Sequence, residues 1–253
     1  RPAARPARAP RLDYGPYAAL VIANSEYPAM DEVPGAVEEA RRLAAVMRGK
    51  YGFDARLLEN ATRYQILSAL NELREDLTEK HNLLIFYVGH SEVDADGQRS
   101  WWQPVDAQPD SRVNWISTRV LSDHLDLIPA KHVLVVADAG FSGVLTRSSI
   151  PKLPVGMSAE KRAELVRSML DRRARLVLAA APAAAEGPRP SAFVDAFLAV
   201  LEGNQQVLEA SGLYREICER LEGRTAIPEF APIRWARSDG GSDFFFVPRP
   251  PRS

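Results

Sequence analysis

The chain has 253 residues, of which 46% are hydrophobic and 26% are charged, and its formal net charge is −1. This composition is typical of a globular protein and allows one large α/β domain without requiring a second. The balanced charge gives no electrostatic reason to expect nucleic acid or an anionic membrane as a partner, so neither is predicted.

Both ends of the chain are rich in proline and arginine. Such tracts cannot pack into a hydrophobic core and stay extended. We therefore predict a linker at residues 1–13, one domain at residues 14–248, and a second linker or tail at residues 249–253. Linkers at both ends also lead us to expect further domains joined covalently to this one.

Cysteine content and hydropathy bear on the compartment of the protein. Cys218 is the only cysteine, so no internal disulfide can form, which fits a reducing compartment. No apolar run approaches the roughly 18 residues of a transmembrane helix, and the first residues lack the apolar segment of a secretory leader. We expect a cytoplasmic protein.

The first half of the domain alternates strands with amphipathic helices. Short apolar runs predict buried strands at Tyr17–Asn24, Ala55–Leu58 and Leu83–Val88. Apolar residues at helical spacing predict helices at Ala36–Arg48 and from Thr62 to about Glu79. Thr62 is a residue type that caps helix N-termini, so the second helix is expected to begin there.

The second half continues the alternation. Helices are predicted at Thr118–Leu127, from Ser158 to about Arg173, at Ser191–Leu201 and at Ser211–Leu221, and strands at Val133–Ala137, Ala174–Ala180 and Phe244–Val247. Alternating strands and helices favour a parallel sheet that is covered on both faces and joined by right-handed crossovers. The predicted fold class is α/β, a three-layer sandwich around a mainly parallel six-stranded sheet.

Two motifs follow buried strands of this predicted sheet. The first is Tyr87-Val88-Gly89-His90-Ser91, and the second is Asp138-Ala139-Gly140-Phe141-Ser142-Gly143. Open α/β sheets place their functional sites at the carboxyl ends of the strands. We therefore expect the histidine and the acidic turn to meet at one edge of the sheet.

Taken together, the two motifs resemble those of the caspase-like cysteine peptidases, in the metacaspase and orthocaspase branch. In that family Tyr-x-Gly-His-Gly supplies the general base and Asp-x-Cys-x-Ser-Gly supplies the nucleophile. The resemblance covers residues 14–248 and implies the caspase-like fold, with His90 at the base position. Gly140 stands at the nucleophile position, and a glycine has no side chain that could attack a peptide bond.

The resemblance also implies residues that bind substrate. Asp138 and Glu39 match acids that line the pocket for a basic P1 side chain, although the family usually has Asp at the position of Glu39. Another reading of Asp138 is a carboxylate that accepts N–H groups of its own turn, and for Glu39 a solvated helix face is expected. Ser91 replaces a glycine whose N–H helps to hold the oxyanion, and a positive φ there would strain a serine.

No metal or cofactor is predicted. Asp94-Ala95-Asp96-Gly97 is a fragment of a calcium loop, but the remaining ligands are absent, so a solvated hairpin turn is expected. Some metacaspases depend on calcium, so the resemblance leaves a calcium ion open. Of the adjacent Trp101 and Trp102, one is expected to pack on the sheet edge and the other to face the opposite side, where core packing is the default reading and a partner-binding surface the alternative.

Three functions fit the sequence. In the first, the domain is a pseudopeptidase that serves binding, scaffolding or regulation, with a protein or peptide partner that carries basic side chains. The second is a cysteine endopeptidase that cleaves after basic residues and whose nucleophile has been substituted. The altered Ser91 and the segment Ala179–Pro182, where active relatives carry a substrate loop rich in Ser, Thr and Gly, favour the first. The third is a serine hydrolase using Ser142, whose nucleophile-elbow motif lacks its second glycine at Val144.

Overall fold

The structure of the chain is a computed structural model that describes residues 12–139, 141, 156–181, 191–223 and 226–250. Its strands, in chain order, are β1 (Tyr17–Ala23), β2 (Asp54–Glu59), β3 (Asn82–Val88), β4 (Ser91–Val93), β5 (Ser100–Trp102), β6 (Ile116–Ser117), β7 (His132–Asp138), β8 (Ala174–Ala179), β9 (Leu208–Glu209), β10 (Glu229–Pro232) and β11 (Phe245–Phe246). The α-helices are α1 (Ala36–Val46), α2 (Arg63–Asp76), α3 (Thr118–Leu127), α4 (Ala159–Leu170), α5 (Ala192–Gly203) and α6 (Ala210–Leu221).

A six-stranded sheet with the order β10-β8-β7-β3-β1-β2 forms the centre of the fold. Five of its strands are parallel and β10 is antiparallel. Every residue of β3 and of β7 is buried, as expected for central strands that are covered on both faces. The predicted fold class is confirmed.

Helices cover both faces of this sheet. Apolar side chains of α1, α5 and α6 pack into one core cluster, and those of α2 and α3 pack into a second cluster on the opposite face. The predicted start of α2 is confirmed, because the Thr62 side chain accepts from Gln65 N and Gln65 in turn caps the Thr62 N–H. Helix α2 ends at Asp76, three residues before the predicted end.

The sixth strand of the sheet differs from the prediction. Residues Phe245–Phe246 pair antiparallel with β9 in a separate two-stranded sheet. The sixth position is taken by β10, which the sequence analysis left unassigned. Pro228 precedes this short strand and Pro232 is its last residue, and because proline within a sheet is largely confined to edge strands, the pattern did not look like a strand.

Two residues that the sequence analysis placed in the linkers, Leu12 and Arg249, contact the domain. Arg249, placed in the tail by the sequence, donates its backbone N–H to Lys50 O at 2.7 Å and a guanidinium N–H to Gly52 O at 2.8 Å. Leu12 packs beside a small cluster that contains Phe245. Both residues therefore belong to the packed domain.

Candidate functional site

The two motif strands are neighbours in the sheet and end at the same edge. Strands β3 and β7 are parallel, and Val88 is the register partner of Asp138. His90 lies two residues after Val88, and Asp138 is the last residue of β7. The expected meeting of the two motifs is confirmed for these residues, while Gly140, Ser142 and Pro182 lie outside the described part of the chain.

The backbone of His90 is fixed by two tyrosine hydroxyl groups. The His90 N–H donates to Tyr27 Oη at 2.9 Å, and Tyr87 Oη lies 2.7 Å from His90 O. Gly89 makes this approach feasible, because a Cβ on it would lie 2.7 Å from Tyr27 Oη and 3.0 Å from Tyr87 Oη. Burial raises the pKa of Tyr87 well above its usual range, so its hydroxyl stays protonated and donates.

The imidazole of His90 has a defined orientation. Its Nε2 lies 2.7 Å from the backbone carbonyl oxygen of Asp31. A carbonyl can only accept, so Nε2 carries the proton and Nδ1 of the neutral ring keeps its lone pair. The ring packs against Tyr27 with centroids 4.7 Å apart, and His90 is half-buried. A half-buried imidazole with a basic Nδ1 fits the predicted base position.

Asp138 and Glu39 converge on Ser191, the residue that caps α5. The Ser191 hydroxyl donates to Asp138 Oδ1 at 2.9 Å, and the Ser191 N–H donates to Glu39 Oε1 at 2.8 Å. Asp138 is fully buried and Glu39 is 7% exposed. The expected solvated helix face for Glu39 is therefore wrong. Glu38 and Glu39 are adjacent on α1, and it is Glu38 that faces solvent.

The positive φ that would have strained Ser91 is absent. Ser91 begins β4, where it pairs with Trp102, and Asn60 is the only non-glycine residue with a positive φ in the described ranges. An extended backbone accommodates any side chain, so replacing the family's glycine by serine carries no conformational cost at this position. The sequence-based reason for a misaimed oxyanion donor at Ser91 is therefore removed.

The acidic turn after β4 is used structurally. Asp94 Oδ1 accepts the N–H groups of Gln98 and Arg99 at 2.7 and 2.9 Å. This arrangement closes a hairpin between β4 and β5, as expected. Among the residues that the structure describes, no group of three or more His, Cys, Asp or Glu side chains could hold a metal ion.

The paired tryptophans lie in two different environments, since adjacent residues of a strand point to opposite sides. Trp102 is 1% exposed and stacks on Tyr87 with centroids 4.2 Å apart. Trp101 is half-buried, and the guanidinium carbon of Arg112 lies 4.1 Å from its ring centroid. Trp102 thus supports the tyrosine that holds His90, and Trp101 faces the outer side of the hairpin.

Cys218 is not an alternative nucleophile. It lies in α6, half-buried, and not on either strand end. Burial raises the pKa of its thiol above the usual 9.0, more than the hydrogen bond with Tyr214 lowers it. The thiol is therefore protonated at neutral pH, and a protonated thiol is a poor nucleophile.

Sequence reasoning missed Tyr27, Asp31 and Ser191. Each contributes through a partner at least 53 positions away, His90 for the first two and Asp138 for Ser191. Tyr27 lies in the segment Ser25-Glu26-Tyr27-Pro28, which follows the first strand and looks only like a turn, and Asp31 lies three residues after this segment. The one available signal was their place at the carboxyl end of β1, at the same edge as the motifs.

A mainly parallel six-stranded sheet with a histidine and two buried acids at its carboxyl edge defines a caspase-like domain. The chain belongs to the caspase domain family (peptidase C14), whose profile matches residues 17–238. No curated protein matches the chain in sequence. Among the described residues, no helix is long and apolar enough to cross a membrane.

Solved structures with low sequence identity share the fold. The protein GSU0716 from Geobacter sulfurreducens has a TM-score of 0.63 at 17% identity, covering 93% of this chain and 98% of that chain. The Drosophila initiator caspase Dronc has a TM-score of 0.58 at 11% identity, covering 90% of this chain and 83% of that chain. These similarities extend over nearly the whole chain and support the caspase-like fold.

Proposed function

We propose that this chain is a pseudopeptidase of the caspase family that binds a protein or peptide segment carrying a basic side chain and does not cleave it. One observation carries the proposal. Residue 140 is glycine where the family motif has its cysteine, and the motif around it is otherwise kept. Without a thiolate at this position no acyl-enzyme can form.

The pair of buried acids supports a basic ligand. Asp138 and Glu39 come from different elements and receive hydrogen bonds from the same residue, Ser191. Two carboxylates held close together in a site of low dielectric favour a cation beside them. A planar guanidinium can hydrogen-bond to both carboxylates at once, which makes arginine the preferred side chain. This chemistry also supports placing the chain in the metacaspase branch.

The experiment is a calorimetric titration with a short peptide ending in arginine and with its citrulline counterpart, which has the same shape without the charge. We expect the arginine peptide to bind and the Asp138→Asn variant to bind it about tenfold more weakly. Asp123→Asn, which changes an exposed helix carboxylate, is the matched control and should bind as the wild type does. No binding up to millimolar arginine peptide, or equal binding of the citrulline peptide, would leave the proposal without its ligand.

A second candidate is an endopeptidase that cleaves after basic residues and has lost only its nucleophile. The intact hydrogen-bond frame around His90 favours it. The two candidates differ in what Gly140→Cys does. We expect the variant thiol to react with iodoacetamide in a manner that depends on His90, without robust peptide cleavage, because Ala179, Ala180 and Ala181 stand where active relatives carry their substrate loop.

Comparing Gly140→Cys with Gly140→Cys/Ser91→Gly completes this experiment. Because Ser91 is unstrained, the second substitution should add nothing. Robust cleavage of a basic P1 substrate by the single variant would favour the second candidate.

A further inference from the structure

The loop after β1 contacts His90 at two separate points. Tyr27 Oη accepts a hydrogen bond from the His90 backbone N–H at 2.9 Å, and the Asp31 carbonyl oxygen accepts one from His90 Nε2 at 2.7 Å. The loop is closed on itself at its base, where Val33 N donates to Ser25 O and Ser25 Oγ donates to Val33 O, both at 2.9 Å. One short closed loop therefore makes hydrogen bonds that position both the backbone and the imidazole ring of His90.

The Tyr27 hydroxyl is the anchor of this loop. It donates its proton to Gln103 O at 2.9 Å while accepting from His90 N. Gln103 N in turn donates to His90 O at 3.0 Å, so Tyr27, His90 and Gln103 form one closed set of hydrogen bonds. Tyr27 is 6% exposed and its ring lies against the imidazole. Its hydroxyl thus ties the loop that bears the Asp31 carbonyl to the strand end that bears His90.

We propose that Tyr27 is a positioning residue that keeps His90 in its Nε2–H form with Nδ1 as the basic nitrogen, through the loop that carries the Asp31 carbonyl. Apart from Nδ1, each polar group of His90 makes a hydrogen bond within the described part of the chain. The backbone N–H bonds to Tyr27, the backbone C=O to Tyr87 and Gln103, and Nε2 to Asp31. An oriented base is therefore retained in a chain whose nucleophile position is glycine. This inference goes beyond peptide binding and does not depend on it.

Removing the hydroxyl in Tyr27→Phe keeps the ring and its packing but breaks the hydrogen bonds with His90 N and Gln103 O. His90 N–H and Gln103 O each lose a partner, and the loop loses its link to the strand end. The Asp31 carbonyl is then free to move away from Nε2. Because an ordinary hydrogen bond changes such a ratio about tenfold, we expect the excess of the Nε2–H over the Nδ1–H form to fall toward that of a histidine in an unfolded chain.

The test is a long-range ¹⁵N–¹H correlation spectrum of the imidazoles, recorded on the free protein at a pH where His90 is neutral. His90→Gln assigns the signal among the four histidines. Wild type should show a protonated Nε2 and an unprotonated Nδ1, and Tyr27→Phe should show the two nitrogens partly averaged. Tyr64→Phe, which changes a tyrosine that is 79% exposed, is the matched control and should match wild type.

A folded Tyr27→Phe protein with the wild-type imidazole pattern would overturn the proposal, as would a wild-type His90 protonated on Nδ1. If Tyr27→Phe does not fold, Ser25→Ala is read instead, because it removes the side-chain hydrogen bond at the base of the same loop, Ser25 Oγ to Val33 O, and leaves Tyr27 in place. Partial averaging in Ser25→Ala supports the proposal, and an unchanged pattern contradicts it. No peptide is present in these spectra, so a failure to bind arginine peptides does not affect the result.

Discussion

A histidine lies at each end of the strand pair β3 and β7, and the two imidazoles differ in burial and in their hydrogen bonds. At the amino end His132 is 4% exposed, and its Nδ1 lies 2.7 Å from Asn82 Oδ1. Burial lowers the pKa of His132 to about 4, so this imidazole is neutral. At the carboxyl end His90 is half-buried and held through its backbone and Nε2, which leaves Nδ1 basic. The histidine at the amino end therefore joins the two strands, whereas the histidine at the carboxyl end keeps a basic nitrogen at the candidate site.

Arg175 is a second buried residue with a structural role near the amino end of the sheet. This fully buried arginine in β8 donates to the carbonyl oxygens of Leu125, Ile128 and Lys131 at 2.9, 2.8 and 3.1 Å, all near the amino end of the sheet. Burial lowers its pKa to about 9, so it is still charged at neutral pH. Its charge is compensated by backbone dipoles, and its role is structural.

The largest expected effect comes from breaking the amino end with Arg175→Met. The substitution removes the hydrogen bonds that these buried carbonyl groups receive from the guanidinium, and we expect the free energy of unfolding to fall by about 5 kcal/mol. Urea denaturation measures it, with Arg167→Met on the exposed face of α4 as the control. A loss below about 1 kcal/mol would show that Arg175 is not a structural tie.

A pH titration of stability sharpens the contrast at His132. Its pKa is about 4 in the folded protein and 6.5 is the ordinary value, so the unfolded chain binds more protons between these values. The contribution of His132 is complete above pH 6.5 and is lost as the pH falls toward 4. We expect the stability difference between wild type and His132→Gln to fall by about 3 kcal/mol across this window.

The stability of wild type is compared with that of His132→Gln because Asp243 also titrates in this pH range. Burial raises the pKa of this fully buried carboxyl to about 7, so its contribution to stability falls as the pH rises from 3.8 to 7. It opposes His132 in the wild type but is present in both proteins and cancels in their difference. A stability difference that does not vary with pH would contradict the neutral state of His132.

At the carboxyl end, Gly89→Ala should have a smaller effect on stability. The added Cβ would lie 2.7 Å from Tyr27 Oη at a φ of +157°, so the two tyrosine hydroxyl groups must move apart. We expect a cost of about 1 to 3 kcal/mol, measured by thermal denaturation. Gly203→Ala is the control, because nothing lies within 4 Å of its added Cβ. Equal stability of the two variants would mean that the approach at Gly89 is not tight.

The smallest expected effect is that of His90→Ala on stability. His90 is half-buried and its backbone hydrogen bonds survive the substitution, so only the Nε2 contact with Asp31 and the packing against Tyr27 are lost, and the free energy of unfolding should fall by about 1 kcal/mol. Urea denaturation of His90→Ala and Arg175→Met under the same conditions compares the free energy of unfolding lost at the two ends of the sheet. A loss above about 2 kcal/mol would assign His90 a structural role like that of His132.

The sequence was sufficient to predict most of the fold, because strand and helix periodicity is a local property. Helix α3 has the predicted bounds, and the carboxyl-edge position of His90 and Asp138 followed from strand order alone. Strand β10 was missed because its prolines oppose strand formation except at an edge, and no local pattern tells which segment becomes that edge.

The site was less predictable, because its contacts join distant parts of the chain. The hydrogen bond between Glu39 and Ser191 spans 152 positions, and nothing near Glu39 indicates whether it or Glu38 faces inward. Tyr27 contacts His90 across 63 positions through a loop without a distinctive pattern. Such contacts depend on tertiary packing, and the family resemblance supplied only the residues within its motifs.

The account is tested most directly by measuring peptidase turnover on fluorogenic peptides with arginine or lysine at P1, with and without calcium. Wild type and His90→Ala are compared at several protein concentrations. We predict no turnover above the level of His90→Ala, because glycine at position 140 offers no nucleophile. Turnover that scales with wild-type protein and disappears in His90→Ala would show that the chain is an active peptidase and contradict the central claim.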